Sequence, residues 1–213
     1  MGRGQYSFSD YKRIAHQFLS KHGILGGSLP IDIDVLIDKA GITIHSIPAM
    51  FDDFGVKGAV LKKPGGYDIA IDETHYEKQE FYYRFTLAEE LSHVLIHTQY
   101  VANCSCLEDV QKFHSSLTDD EYKVMEQEAR ALASQLLLPS QLFDPYVLTC
   151  VGNNLNEFLK SPAFSKQDLA QDIAQKMYKD LHLSAEVVKW SILRYPDAAI
   201  DKVLSKHGQA LIQ

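Results

Sequence analysis

The 213-residue sequence predicts an α+β fold: two helical stretches, a small and mostly antiparallel sheet, a buried helix, and a helical C-terminal half. Segments of alternating hydrophobicity are confined to residues 42–71, while 3.6-residue periodicity dominates after Asp72. One of those later helices is apolar nearly all round yet carries Glu89, Glu90 and His93. A content of 46% hydrophobic and 23% charged residues suits one globular domain over residues 1–213 with a proper core.

Taken in order, Phe8 to Leu19 reads as an amphipathic helix, with Ser9 as N-cap and Tyr11, Ile14, Ala15, Phe18 and Leu19 as its stripe. Leu29-Pro30-Ile31-Asp32 opens a second short helix that runs through Ala40 and closes at Gly41. Ile42 to Ile47 alternates as a strand. Val56–Leu61 and Tyr67–Ile71 form two more, joined by Lys62-Lys63-Pro64-Gly65-Gly66 as a hairpin turn.

Tyr76 to His97 is the buried helix, and Asp119 to Leu138 is a second long one ending at Pro139. The stretch Thr98–Thr118 between them reads as a connector. Shorter helices follow from Leu155, Ser165 and Ser184, and Pro196-Asp197 opens the last.

No apolar run approaches the ~20 residues needed to cross a bilayer. The N-terminus lacks an apolar signal core, so a cytoplasmic protein without membrane contact is expected. A formal charge of −7 argues against direct nucleic-acid binding. Gln167–Ile192 has helix-turn-helix spacing, but residues 166–194 carry five basic against four acidic side chains, too balanced for a recognition helix. Cys104, Cys106 and Cys150 form an odd set, read as plain thiols.

The run Arg84-Phe-Thr-Leu-Ala-Glu89-Glu90-Leu-Ser-His93-Val-Leu-Ile-His97 is one residue away from a zincin helix. Such a helix holds two metal ligands at i and i+4, stacked on one face, with a glutamate after the first as general base. Here Glu89 and His93 occupy the ligand spacing and Glu90 the base position. Carboxylates and a histidine on a buried helix are costly unless paired or metal-bound, which points to a site. His97 follows as a further ligand, a supporting donor or a core histidine. On the next helix, Glu126 and Glu128 flank the stripe Tyr122, Met125, Ala129, Leu132, Ala133 and Leu136, and either can reach inward.

These residues resemble the ImmA/IrrE-type metallopeptidases, whose signature pairs R-F-T-L-A-H-E-L-G-H-x-L-L-H with a later E-x-E-A-N-x-F-A-x-x-L-L-M-P. The second run reads here Glu126-Gln-Glu128-Ala-Arg-Ala-Leu-Ala-Ser-Gln-Leu-Leu-Leu-Pro139. The resemblance implies a zincin-like domain with its catalytic core at about 29–147 and a helical extension at about 152–213. It places metal ligands at Glu89, His93 and Glu126, the general base at Glu90, and Glu128 in a supporting position with His97. It further implies a divalent metal, zinc by family habit, and a metal-dependent endopeptidase that cleaves DNA-binding repressor proteins in a stress or mobile-element response.

Two departures qualify this. Ser92 replaces a glycine, and Glu89 replaces the first histidine. A carboxylate for an imidazole makes the site harder and more anionic, suited to manganese or iron as well as zinc. It also raises the alternative of a pseudoprotease, without metal or cleavage, that binds a regulator. Tyr82 and Tyr83 are the candidates for stabilising an oxyanion.

Overall fold

The computed structural model describes residues 6–74, 80–160, 165–194, 198–207 and 211. The α+β class is as expected. The chain forms two compact units, residues 1–26 with 31–137, and residues 27–30 with 138–213.

The first unit begins with α1 (Phe8–Lys21), capped by Ser7 rather than Ser9. Asp10 lies three residues after Ser7, so its carboxylate accepts the Ser7 N–H at 3.0 Å while the Ser7 hydroxyl accepts the Asp10 N–H at 3.3 Å. Ser9 has Lys12 at that position and cannot close such a capping box. Asp32 caps α2 (Ile33–Lys39) through the Val35 N–H.

Three strands follow: β1 (Thr43–Ile47), β2 (Gly58–Lys63) and β3 (Gly66–Asp72), in the order β1-β3-β2. The hairpin is antiparallel, with Val60 opposite Ile69. The pair β1–β3 is parallel, with Ile44 opposite Ile69, so the two pairings divide evenly instead of being mostly antiparallel. The cause lies between β1 and β2, where the short helix α3 (Met50–Phe54) turns the chain so that β2 lands on the far side of β3. Ile69, Ala70 and Ile71 of the central strand are fully buried, and β2 is an edge.

Over the sheet lies α4 (Glu80–Ile96); the expected start at Tyr76 falls outside the described residues. Leu87, Ala88 and Leu91 are fully buried. The connector is not plain: it folds into α5 (Thr98–Val101) and α6 (Leu107–Ser116). Its Cys104 carbonyl accepts the Lys62 N–H at 2.6 Å, tying it to the free side of β2. A second capping box, Thr118 with Glu121, starts α7 (Asp119–Leu137). This helix runs against α4 and buries Ala129, Leu132, Ala133 and Leu136, so truncating one such leucine should cost about 2–5 kcal/mol.

The second unit is helical: α8 (Ser140–Asn153), α9 (Leu155–Lys160), α10 (Lys166–Met177), α11 (Ala185–Leu193) and α12 (Ala199–His207). Helix α8 is absent from the sequence reading because it contains Pro145, a residue that ordinarily ends helices. Helices begin after Ser165 and Ser184 as expected, and the structure shows both serines capping them, at α10 and α11. Pro196-Asp197, the expected start of the last helix, lies outside the described residues. Phe143, Val147, Ile173, Val188 and Val203 are fully buried, and Lys202 pairs with the buried Asp144. The Arg194 guanidinium sits 5.7 Å from the Phe143 ring and donates to the Leu138 carbonyl at 3.0 Å; burial pushes its pKa down to about 10. No helix among the described residues is long and apolar enough to cross a membrane. Cys104, Cys106 and Cys150 are free thiols.

Candidate active site

A cleft of about 310 Å³ opens in the first unit, lined by β2, α4, α6 and α7. Glu89, Glu90 and His93 enter it from α4, and Glu126 and Arg130 from α7; Glu89 with His93, and Glu126 with Arg130, are each spaced to share a helix face. Glu90 stands against the β2 backbone at Gly58. A Cβ on that glycine would lie 2.4 Å from Glu90 Oε1 and 2.8 Å from Thr86 Cγ2, so only glycine admits the helix this close.

His93 Nε2 lies 3.5 Å from Glu126 Oε1. On its other side His93 Nδ1 is 2.9 Å from His97 Nδ1, and His97 Nε2 is 3.1 Å from Glu128 Oε2. Glu128 can only accept when ionised, so His97 donates to it from Nε2 and receives the His93 Nδ1–H. The Tyr6 N–H closes the chain on Glu128 Oε1 at 3.2 Å. Glu126 therefore faces the cleft while Glu128 is buried behind it. Ser92 returns its hydroxyl to the Ala88 carbonyl at 2.7 Å, which lets it stand in a glycine's place.

Glu89 lines the same cleft as His93 and Glu126, but its carboxylate is engaged by Arg130. Its Oε1 accepts the Arg130 Nε–H at 2.9 Å, and Arg130 Nη2 reaches Glu126 Oε2 at 3.7 Å. One guanidinium thus spans both carboxylates. Sequence reasoning passed over Arg130, although the motif it occupies has asparagine at that place in the family signature. Tyr82 and Tyr83 do not line the cleft: Tyr82 is 59% exposed, and the Tyr83 hydroxyl donates to Asp34 at 2.6 Å. The lining tyrosine is Tyr122, and His114 and Phe113 from the former connector join it.

The electrostatics follow from burial and from this ring of charges. Burial pushes the Glu90 carboxyl up to about 8, with the Glu126 and Glu89 charges adding to the rise and His93 opposing it. Burial also raises Glu89, against the pull of Arg130. Burial works against a charged His93, but its hydrogen bond to Glu126 and the surrounding carboxylates outweigh that and raise its pKa. Glu126 is lowered, because His93 and Arg130 more than offset its burial.

The family model of the Peptidase M78 group, described as an IrrE N-terminal-like domain, matches residues 37–152, more than half of the chain. The chain belongs to the Peptidase M78 family. A search of curated proteins finds no match. The matched span of this M78 protein takes in the sheet, α4 and α7, and hence every residue of the cleft named above.

The M78 family is generally metal-dependent, so the donor set can be tested against a metal. His93 and Glu126 are separated as two ligands of one ion would be, since donors at about 2.1 Å in tetrahedral array stand about 3.4 Å apart. The third position fails. Glu89 is committed to a guanidinium, and among the described residues no three His, Cys, Asp or Glu side chains converge as a metal requires. As arranged, the residues do not fit a bound metal.

Proposed function

We propose that this M78 protein binds an extended segment of a protein partner, a DNA-binding repressor by analogy with the family, and holds it without metal-assisted cleavage. The observation that carries this reading is the hydrogen bond that commits the Glu89 carboxylate to the Arg130 guanidinium. The partner segment would lie along the edge strand β2, whose outward N–H and C=O groups at Gly58 and Val60 border the cleft. The cleft also offers apolar lining at Phe51, Val56, Val110 and Phe113, suited to alternate side chains of such a segment.

A metal-dependent endopeptidase is the second reading, favoured by the 3.5 Å approach of His93 to Glu126 and by Glu90, raised by burial to a range where it can exchange a proton near neutral pH. Incubating the purified protein with candidate DNA-binding repressors, with and without added zinc or manganese, separates the two. Retention of an intact repressor supports binding alone. Specific cleavage that Glu90→Gln abolishes would establish the peptidase.

A further inference from the structure

The geometry points to Arg130 as the resident cation of this site, a guanidinium held in place of a metal ion. Glu89 and Arg130 form one functional unit: a carboxylate where the family has an imidazole, and the positive charge that this carboxylate requires. Glu89 has a side chain only 17% exposed and Glu126 one 21% exposed, so both carboxylates are largely withdrawn from water. Two such groups lining one cleft need a counter-charge. Arg130 supplies it at 2.9 Å to Glu89 and 3.7 Å to Glu126, and it stands one helical turn after Glu126, the spacing at which side chains on a helix meet.

The guanidinium differs from a metal in two ways. It is covalently attached, so the site keeps its charge balance whatever ions surround it. It is also permanently charged and has no open coordination position, so it neither activates water nor exchanges. A metal entering beside it would meet a fixed positive charge a few ångströms away. Replacing Glu89 by histidine alone therefore does not restore a metal centre, because the cation that excludes the ion remains.

This inference rests on the binding-only reading but is tested on zinc and stability rather than on the partner, so the two can fail separately. Wild type, Arg130→Lys, Glu89→His, Arg130→Met and the double variant Glu89→His with Arg130→Met are purified without chelators or a metal-binding tag. Zinc content is measured, followed by zinc titration and Tm. We expect little zinc in wild type, Arg130→Lys and Glu89→His, and near-stoichiometric zinc in the double variant. The double variant should bind about 100-fold more tightly than Glu89→His, as removal of a unit charge a few ångströms from the ion implies.

Without zinc, Arg130→Met should melt roughly 2–4 °C below wild type, and Arg130→Lys should lie between them. Added zinc should raise the Tm of Arg130→Met and leave that of wild type unchanged. Stoichiometric zinc in wild type overturns the inference. So does a double variant that binds no more tightly than Glu89→His. If the double variant does not fold, an equal response of wild type and Arg130→Met to zinc overturns it instead.

Discussion

Gly58 and Glu90 touch across the floor of the cleft, with no room for a side chain between the strand backbone and the helix carboxyl. A Cβ at Gly58 would meet Glu90 Oε1 at 2.4 Å and Glu90 Cγ at 2.8 Å. The contact ties the edge of the sheet to the residue at the family's general-base position, so strand and helix cannot drift apart without exposing Glu90.

Gly58→Ala should therefore be destabilising by about 1–3 kcal/mol, because Thr86 and the Glu90 stem must move together. Thermal unfolding gives the cost. The same variant should bind the protein partner at least several-fold more weakly, read by titration calorimetry. An alanine variant with unchanged Tm and unchanged binding would show that the helix and strand adjust freely.

Glu128 belongs to the support behind the cleft and not to the cleft itself. It accepts from His97 Nε2 at 3.1 Å and from the Tyr6 N–H at 3.2 Å. Glu128→Ala should lower stability by about 2 kcal/mol, since it leaves buried donors unpaired. Glu126→Ala removes a carboxylate held by Arg130 near the surface of the cleft and should cost less, about 1 kcal/mol. Urea unfolding of the pair ranks them, and the reverse order would reassign the two glutamates.

Asp68 ties the sheet together at its other face. It accepts from Lys63, from His45 Nε2 at 3.1 Å and from the Thr43 N–H at 3.3 Å. Burial tends to raise its pKa, but these donors prevail and lower it to about 2. The folded value lies below the unfolded one of about 3.9, so the stabilisation is full above about pH 4 and is lost as pH falls toward 2. Asp68→Asn should be about 1 kcal/mol less stable than wild type at pH 7, with the gap closing between pH 4 and pH 2. Urea midpoints across that range test it, and a gap independent of pH would contradict the assignment.

In the second unit, Phe143 is fully buried and carries the Arg194 guanidinium on its ring at 5.7 Å. Phe143→Leu should cost about 1–2 kcal/mol and Phe143→Ala about 3–5 kcal/mol, the alanine leaving both a cavity and a poorly covered cation. Differential scanning calorimetry measures both. Equal losses would mean that the ring's cover of the cation, and not the volume it fills, sets the cost.

Much of this protein is legible one helix at a time. The amphipathic stripe of α1, the helix starts at Asp32, Ser165 and Ser184, the Lys62–Gly66 hairpin turn and the apolar motif helix all depend on residues within a few positions of one another. Local chemistry suffices for these, as it does for the i, i+4 placement of Glu89 and His93. The same is true of the M78 resemblance, which rests on two contiguous motifs that the family match over residues 37–152 supports.

What local chemistry could not decide was pairing across long sequence separations. The parallel sense of β1 against β3 depends on where α3 returns the chain. The folding of Thr98–Thr118 against β2 depends on the Cys104 carbonyl meeting the Lys62 N–H. Above all, the partner of Glu89 lies forty-one residues away at Arg130, on another helix. Its sequence neighbours suggested a metal ligand; only the packing of α4 against α7 set a guanidinium within 2.9 Å of that carboxylate. Charge balance in a buried site is a property of everything that converges there, so it becomes visible when the helices are brought together.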